Sequence, residues 1–297
     1  MVGLPGSGKS TYAKELADKM NAIICSSDVI RKELCNDENS QDKNDEVFNI
    51  LHKRIKDNLK NGINVIYDAT NINSKRRRAF LSELKNIPCV RKCVIMAVPF
   101  EECWESNSLR DRLVPYDVLE RMYKNWNTPY WFEGWDEIEI KFRDKFGISD
   151  VIGVWIKNHM NYDQNNPHHS VTLGRHCLLT SDNLSCENNN ILYCAGLLHD
   201  CGKPFTKSFV NSKGEETDIA HYYQHHCVGA YDSLFFIYPG NVNKLDVSIL
   251  INLHMMPYFW EKDKENGEKT RQKYQKLWGE ELYNNVLKLH IADKNAH

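Results

Sequence analysis

Gly3-Leu4-Pro5-Gly6-Ser7-Gly8-Lys9-Ser10 decides how the first half of this chain folds. The stretch meets G-x-x-x-x-G-K-[ST] in full, and Ala13, Leu16, Ala17 and Met20 continue it at helical spacing. Glycines there let backbone N–H groups curl around phosphate oxygens, and the N-terminus of the helix adds favourable partial charge. Lys9 can reach β- and γ-phosphates, and the Ser10 hydroxyl can join a Mg2+ shell. ATP and Mg2+ are therefore the expected cofactors, held by Gly3, Gly6, Ser7, Gly8, Lys9, Ser10 and Thr11. Such a loop normally follows a buried strand, yet only Met1 and Val2 precede Gly3, so that strand is expected to be short or lost.

Outward from the loop, strand-like and helical segments alternate. Ala22-Ile23-Ile24-Cys25, Ile63-Asn64-Val65-Ile66-Tyr67 and Cys93-Val94-Ile95-Met96-Ala97-Val98 read as strands, and Ile138, Ile140 and Phe142 as an edge or late strand. Val47, Leu51, Ile55 and Leu59 form one helix face, which Gly62 ends. This order predicts an α/β fold, a parallel sheet with helices on both faces. Near Lys145-Phe146-Gly147-Ile148 the pattern changes to helical periodicity with almost no strand signal. The expected organisation is an α/β domain over 1–147 and an all-α domain over 148–297.

Composition limits the partners. Of 297 residues, 41% are hydrophobic and 26% charged, as in soluble globular proteins. A formal net charge of −2 argues against a positively coated general nucleic-acid binder, though not against an enzyme that grips a strand end. No apolar run approaches the roughly 20 residues that cross a bilayer, so no membrane partner is expected. Met1-Val2-Gly3-Leu4-Pro5 lacks the basic-then-apolar order of a secretory signal. The ten cysteines are scattered with no Cys-x-x-Cys pair, which fits a reducing cytoplasm and no zinc–cysteine site. Nothing in the composition opposes a homo-oligomer.

Four segments after the loop carry candidate chemistry. In Ser26-Ser27-Asp28-Val29-Ile30-Arg31, Asp28 can take the proton of an attacking hydroxyl and Arg31 can fork onto an acceptor phosphate. A plain helix cap followed by an exposed arginine reads equally well. In Tyr67-Asp68-Ala69-Thr70-Asn71, Asp68 can order the Mg2+ shell or hold Arg31. The basic run Lys75-Arg76-Arg77-Arg78 suits either a phosphate backbone or a solvated helix face. Ser106-Asn107-Ser108-Leu109-Arg110-Asp111-Arg112 ahead of Val114-Pro115 offers a lid arginine for charge on the transferred phosphoryl group, with Arg110 preferred to Arg112.

Taken in order, the loop, Asp28-x-x-Arg31, Asp68-Ala69-Thr70-Asn71, Asn107-x-x-Arg110 and Val114-Pro115 resemble polynucleotide 5′-kinases, those of bacteriophage and of bacterial RNA repair among them. The resemblance spans nearly all of 1–142. It implies Asp28 as general base, Arg31 as ligand of the acceptor phosphate and Arg110 as lid arginine. Ser106 stands where many relatives carry a further arginine. Related enzymes also phosphorylate sugars, aminoacyl groups and small hydroxyl compounds.

The second half centres on Leu197-Leu198-His199-Asp200-Cys201-Gly202-Lys203-Pro204. His176 lies upstream, and His225, His226, His254 and Asp293 follow. His199, His254 and Asp293 each extend an apolar helical stripe, where an ionised or polar group is costly unless something positive meets it. A cation bound by imidazole nitrogen and carboxylate oxygen would do so. This ordered set resembles the HD phosphohydrolase superfamily from about Trp155 onward. The resemblance implies one metal on His176, His199, Asp200 and Asp293, and a second on His225 and His254 with Asp200 bridging. The metal would be a divalent transition ion such as Mn2+, Fe2+, Co2+ or Ni2+. Lys203 would hold a substrate phosphate, and His226 replaces a glutamate common among relatives. His168 and His169 are donors near the centre, substrate contacts or loop residues.

The pairing of the two halves resembles bifunctional bacterial RNA end-healing enzymes, although the familiar domain order places the HD domain first. The expected activities are phosphorylation of a 5′-OH end of RNA (or DNA) and removal of a 2′,3′-cyclic or terminal phosphate. Two other readings remain in view: a nucleoside or sugar kinase joined to a nucleotide phosphohydrolase, and a nucleotide sensor without turnover.

Overall fold

β1 (Ala22–Ser26) and β2 (Asn64–Asp68) pair in parallel, Ala22 opposite Asn64 through Ser26 opposite Asp68, so both strands deliver their C-terminal ends to one edge. The computed structural model describes residues 1–35, 43–110, 112–143, 150–167 and 170–297. Around the first pair lie α1 (Lys9–Met20), α2 (Ser27–Cys35), α3 (Asn44–Lys60) and α4 (Ser74–Glu83). β3 (Lys92–Ala97), α5 (Phe100–Ser108), α6 (Tyr116–Lys124) and β4 (Glu137–Phe142) follow, with β3 and β4 also parallel. The strand expected before the phosphate loop is a single bridge, Val2 beside Ile95. Val2 N–H donates to the Val94 carbonyl (2.8 Å), and Gly3 N–H donates to the Thr70 carbonyl (3.1 Å) just beyond β2. Val2 and Gly3 therefore stitch the two strand pairs together.

The stripe read on α3 points inward: Val47, Leu51 and Ile55 pack with Cys25, Ile30, Phe80, Leu81 and Leu84. Each such side chain contributes about 1.5–3 kcal/mol by leaving water. The basic run on α4 divides. Lys75 and Arg76 are exposed, whereas Arg77 is buried and forks onto Glu133, Nε to Oε2 at 2.7 Å and Nη2 to Oε1 at 2.6 Å. Its Nη1 also donates to the Asn71 carbonyl (2.7 Å), holding the left-handed Asn71 (φ 50) that closes the Asp68–Asn71 segment. Arg77 is thus neither solvated nor available to a phosphate backbone.

The second unit contains β5 (Asp150–Val151), α7 (Ile152–His159), α8 (Leu173–Asn183), α9 (Asn190–Leu198), α10 (Lys203–Thr206), β6 (Ser208–Val210), β7 (Glu216–His221), α11 (His225–Asp232) and β8 (Phe236–Ile237). α12 (Lys244–Leu253), α13 (Met256–Lys262), α14 (Gly267–Trp278) and α15 (Glu280–Lys294) complete it. It is largely helical, as expected, with one antiparallel hairpin of β6 and β7 and a two-residue parallel pair, β5 and β8. The hairpin turns where Asn211 Oδ1 accepts from Lys213 and Glu215 N–H groups and Gly214 takes φ 84, a local device with little apolar signature. Asn189 caps α9 through the N–H groups of Ile191 and Leu192, and Asn243 caps α12 through that of Leu245.

By contact the chain divides into Met1–Met122 with Pro129–Phe146, and Tyr123–Thr128 with Gly147–His297. The junction expected near Gly147 lies among 144–149, outside the described residues.

Candidate catalytic centres

The phosphate loop is shaped by close backbone approach. Gly6 (φ +82) leaves no room for a side chain, because a Cβ would lie 2.1 Å from the Cys103 carbonyl oxygen on α5; Gly8 is also left-handed (φ +84). Lys9 begins α1, is buried, and donates to the Leu4 carbonyl at 2.6 Å. Burial lowers its pKa to about 8, with Asp68 working in the other direction. Ser10 Oγ donates to Asp68 Oδ2 (2.8 Å), joining the start of α1 to the end of β2. This contact sets the Asp68 carboxylate beside the Ser10 hydroxyl. Arg31 is held elsewhere.

At the start of α2, Asp28 sits between two arginines, Arg31 Nη1 at 3.0 Å from Oδ1 and Arg112 Nη1 at 2.6 Å from Oδ2. Arg31 is only 6% exposed, donates to Asn44 Oδ1 (2.9 Å), and keeps a buried Nε with no protein acceptor. Arg110 is exposed and lies close enough to Lys9 to disfavour its charge. Asn107, fully buried, accepts from Val114 N–H (3.2 Å) and donates to its carbonyl (2.8 Å), closing the loop that carries Arg110 and Arg112.

One basic residue of this centre escaped the sequence reading. Arg143, just beyond β4, donates from Nη2 to the Gly6 carbonyl and from Nη1 to Ser106 Oγ, both at 2.7 Å. The available signal was its place past the C-terminal end of a parallel strand, where α/β sheets bind ligands.

The second centre is built from helix ends. His176 stands on α8, His199 and Asp200 follow α9, His225 opens α11, His254 follows α12, and Asp293 is near the end of α15. Each imidazole places Nδ1 against a backbone carbonyl: His176 on Ala296 (2.9 Å), His199 on Gly196 (2.8 Å), His225 on Tyr222 (2.8 Å) and His254 on Ile251 (2.7 Å). A carbonyl only accepts, so each Nδ1 carries a proton, and in the neutral ring Nε2 then presents a lone pair. These Nε2 atoms meet in pairs, His176 with His199 and His225 with His254, each at 3.2 Å. Two bare lone pairs so close repel unless something positive lies between or beside them.

Asp200 joins the pairs: Oδ2 faces His199 (3.3 Å) and His176 (3.5 Å), and Oδ1 faces His225 (3.2 Å). Asp293 Oδ1 lies 2.9 Å from His176 Nε2. Among the described residues, His176, His199 and Asp200 form one buried triad with metal-ligand spacing, and Asp200, His225 and His254 form another. Burial opposes charge on His199, but Asp200 and Asp293 outweigh it and push the imidazole up to about 10. The carboxylates demand positive charge, which a proton on His199 supplies in part and divalent cations would supply more fully. His254 is held well below the usual imidazole range by burial and by His225, and so stays neutral as a ligand must. Divalent cations therefore fit these residues.

Around the ligands, Lys203 Nζ touches Asp200 Oδ2 (2.6 Å) and Gln164 Oε1 (2.8 Å). Tyr258 OH donates to Asp293 Oδ2 (3.1 Å). Gln164 and Tyr258 were not anticipated; Tyr258 lies one helical turn beyond His254, while Gln164 gives no sequence signal. Gly202 brings α10 so near α11 that a Cβ would lie 2.2 Å from the His225 carbonyl oxygen. His226 is absent from both triads, and burial lowers its pKa to about 3. His168 and His169 lie outside the described residues.

The AAA-domain family model matches residues 1–129, and the HD-domain family model matches residues 168–296. The chain is thus an N-terminal α/β P-loop domain followed by a largely helical HD domain. It is similar to L-seryl-tRNA(Sec) kinase of Methanococcus maripaludis, 27% identical over 164 residues, covering 51% of this chain and 62% of the relative. It is also similar to the protein kti12 of Schizosaccharomyces pombe, 27% identical over 147 residues, covering 45% of this chain and 52% of the relative. The matched lengths are thus about half to three fifths of those relatives. Among the described residues, no helix is long and apolar enough to cross a membrane.

Proposed function

We propose that the P-loop domain phosphorylates a hydroxyl at an RNA 5′ end and that the HD domain removes a 2′,3′-cyclic or terminal phosphate. The carrying observation is Asp28 beside a buried Arg31 whose Nε has no protein acceptor. A carboxylate can draw the proton from an attacking hydroxyl, and the guanidinium beside it suits an acceptor that already bears phosphate. A 5′-OH end of a strand has such a phosphate one ester away; a free nucleoside or sugar does not.

In this reading Lys9, Ser10 and Asp68 hold ATP with Mg2+, Asp28 accepts the hydroxyl proton, and Arg110 meets charge on the transferred group. In the HD centre, bound divalent cations supply Lewis acidity and a nucleophile near neutral pH. His176, His199, Asp200 and Asp293 would hold one cation, and His225, His254 and the bridging Asp200 a second. Lys203 then trades its contact with Asp200 for a substrate phosphate oxygen, and Tyr258 fixes the orientation of the Asp293 carboxylate.

The relative named L-seryl-tRNA(Sec) kinase favours a second reading, in which the acceptor hydroxyl belongs to an aminoacyl group on RNA. One assay separates them. An RNA carrying a 5′-OH and a 2′,3′-cyclic phosphate is incubated with labelled ATP, Mg2+ and Mn2+, beside seryl-tRNA and free nucleosides. Label at the 5′ end with loss of the cyclic phosphate is expected. Label on seryl-tRNA or nucleoside, with the strand end untouched, would sink the end-healing assignment.

A further inference from the structure

The HD unit contains a piece of chain from outside its family match. Residues Tyr123–Thr128 group with the second unit, although they fall inside the stretch matched by the AAA-domain model. Trp126 is fully buried with its ring 4.8 Å from that of Tyr231 on α11. Tyr123 packs edge-on against the same ring (5.4 Å), and its hydroxyl donates to Asp232.

Polar atoms of Trp126 and Thr128 pair with the two helices that His225 opens and His254 follows. Thr128 N–H donates to Asn252 Oδ1 (3.2 Å), and Asn252 Nδ2 donates to the Trp126 carbonyl (3.2 Å) and lies 3.8 Å from Cys227 Sγ. Asn252 is two residues before His254, and Cys227 two after His225. Thr128 Oγ1 meets Ser248 Oγ (2.8 Å) on α12 and accepts from Trp126 Nε1 (3.2 Å), while Ser248 Oγ donates to the Ala230 carbonyl (2.6 Å) on α11. Among the described residues this network spans α11 and α12 and involves none of α8, α9 or α15, which carry the other ligands. Buried networks of this kind fix geometry when every member is paired, and become costly when one is removed.

We propose that Trp126, Thr128 and Asn252 are positioning residues for the second cation: the strap 123–128 sets the distance between α11 and α12, and so the spacing of the His225 and His254 Nε2 atoms. The proposal rests on the two-cation reading of the HD centre. Residues behind metal ligands typically change affinity by about 10–100-fold.

The test is cation binding by the full chain, measured with Mn2+ by calorimetry and by metal analysis after desalting. Wild-type protein should take up two ions. Asn252→Ala should keep the first at unchanged affinity and weaken the second by about 10–100-fold. Thr128→Val, which removes one hydroxyl and keeps the shape, should move the second ion in the same direction by less, and serves if Asn252→Ala does not fold. Asn183→Ala is the control, since Asn183 ties α8 to α15 through the Ala292 carbonyl (3.0 Å) and should not single out the second ion. Equal weakening of both ions in the strap variants, or of neither, overturns the strap. A wild-type protein that binds one ion overturns the two-cation centre itself, whatever the variants do.

Discussion

The two candidate centres are made in opposite ways. In the first, the phosphate cradle is one continuous stretch, Gly3 to Ser10, completed by Asp68 at the end of the neighbouring strand. In the second, His176, His199, Asp200, His225, His254 and Asp293 come from separate helices or their ends and converge only through packing. A cradle of backbone amides needs the right local dihedrals. A cluster of side chains needs the right helix spacing. Substitutions in the first centre should therefore act on ligand and rate, whereas the second is exposed to distant packing as well.

The largest expected effect tests that separation directly. Asp200→Ala removes the one carboxylate both histidine pairs share, so phosphoester hydrolysis should fall below detection and cation uptake should weaken at both positions. Kinase turnover should remain. Asp28→Ala should do the converse, lowering phosphoryl transfer by about 10²–10⁴-fold, the usual worth of a positioned base, with hydrolysis unchanged. Loss of both activities in either variant would break the comparison.

How much of this was legible follows from the same contrast. The phosphate loop, β1, β2, β3 and the α3 stripe at Val47, Leu51 and Ile55 could be read because local periodicity and glycine spacing dictate them. The ordered histidines and aspartates were readable as a set, since His199, His254 and Asp293 each ended an apolar stripe. Arg143, Gln164 and Tyr258 were not, because their roles depend on reach across the fold: Arg143 meets Gly6, a contact no sequence interval announces. Arg77 was misplaced for a related reason. A run of four basic residues looks uniform until the helix turns one inward onto Glu133.

That buried pair yields the next effect in size. Glu133→Gln leaves Arg77 charged and under-paired where its side chain is only 3% exposed, which should destabilise the first unit by about 3–5 kcal/mol. Thermal unfolding would show it as the loss of an early transition, with the cation-stabilised second unit melting as before. A single unshifted transition would mean the pair contributes little.

Arg143→Ala sharpens the comparison by asking whether the local cradle needs a distant support. Losing charge-assisted hydrogen bonds of about 1.5–3 kcal/mol to Gly6 and Ser106 should raise the KM for ATP by about 10–100-fold, while kcat changes little and cation uptake not at all. Arg143→Lys should recover only part, because a single ammonium lacks the planar fork that reaches both partners. A fall in kcat at unchanged KM would place Arg143 in the chemical step instead.

The smallest effect concerns Lys9 and is read as protons. Burial lowers its pKa to about 8 from the ordinary 10.5, so between those values the free folded protein has largely shed a proton that the unfolded chain keeps. Stability should thus rise as pH climbs through that window, since the unfolded state binds the extra proton there. Nucleotide binding should run the other way. The β- and γ-phosphates favour the ammonium, so ATP binding above pH 8 must draw a proton from solvent, and affinity should decline as pH rises. Calorimetry at one alkaline pH in two buffers of different ionisation enthalpy measures this uptake directly. It should approach one proton per ATP and disappear in Lys9→Met. Uptake that persists in Lys9→Met would assign the proton to another group, and a value near zero in the wild type would mean that Lys9 keeps its charge despite its burial.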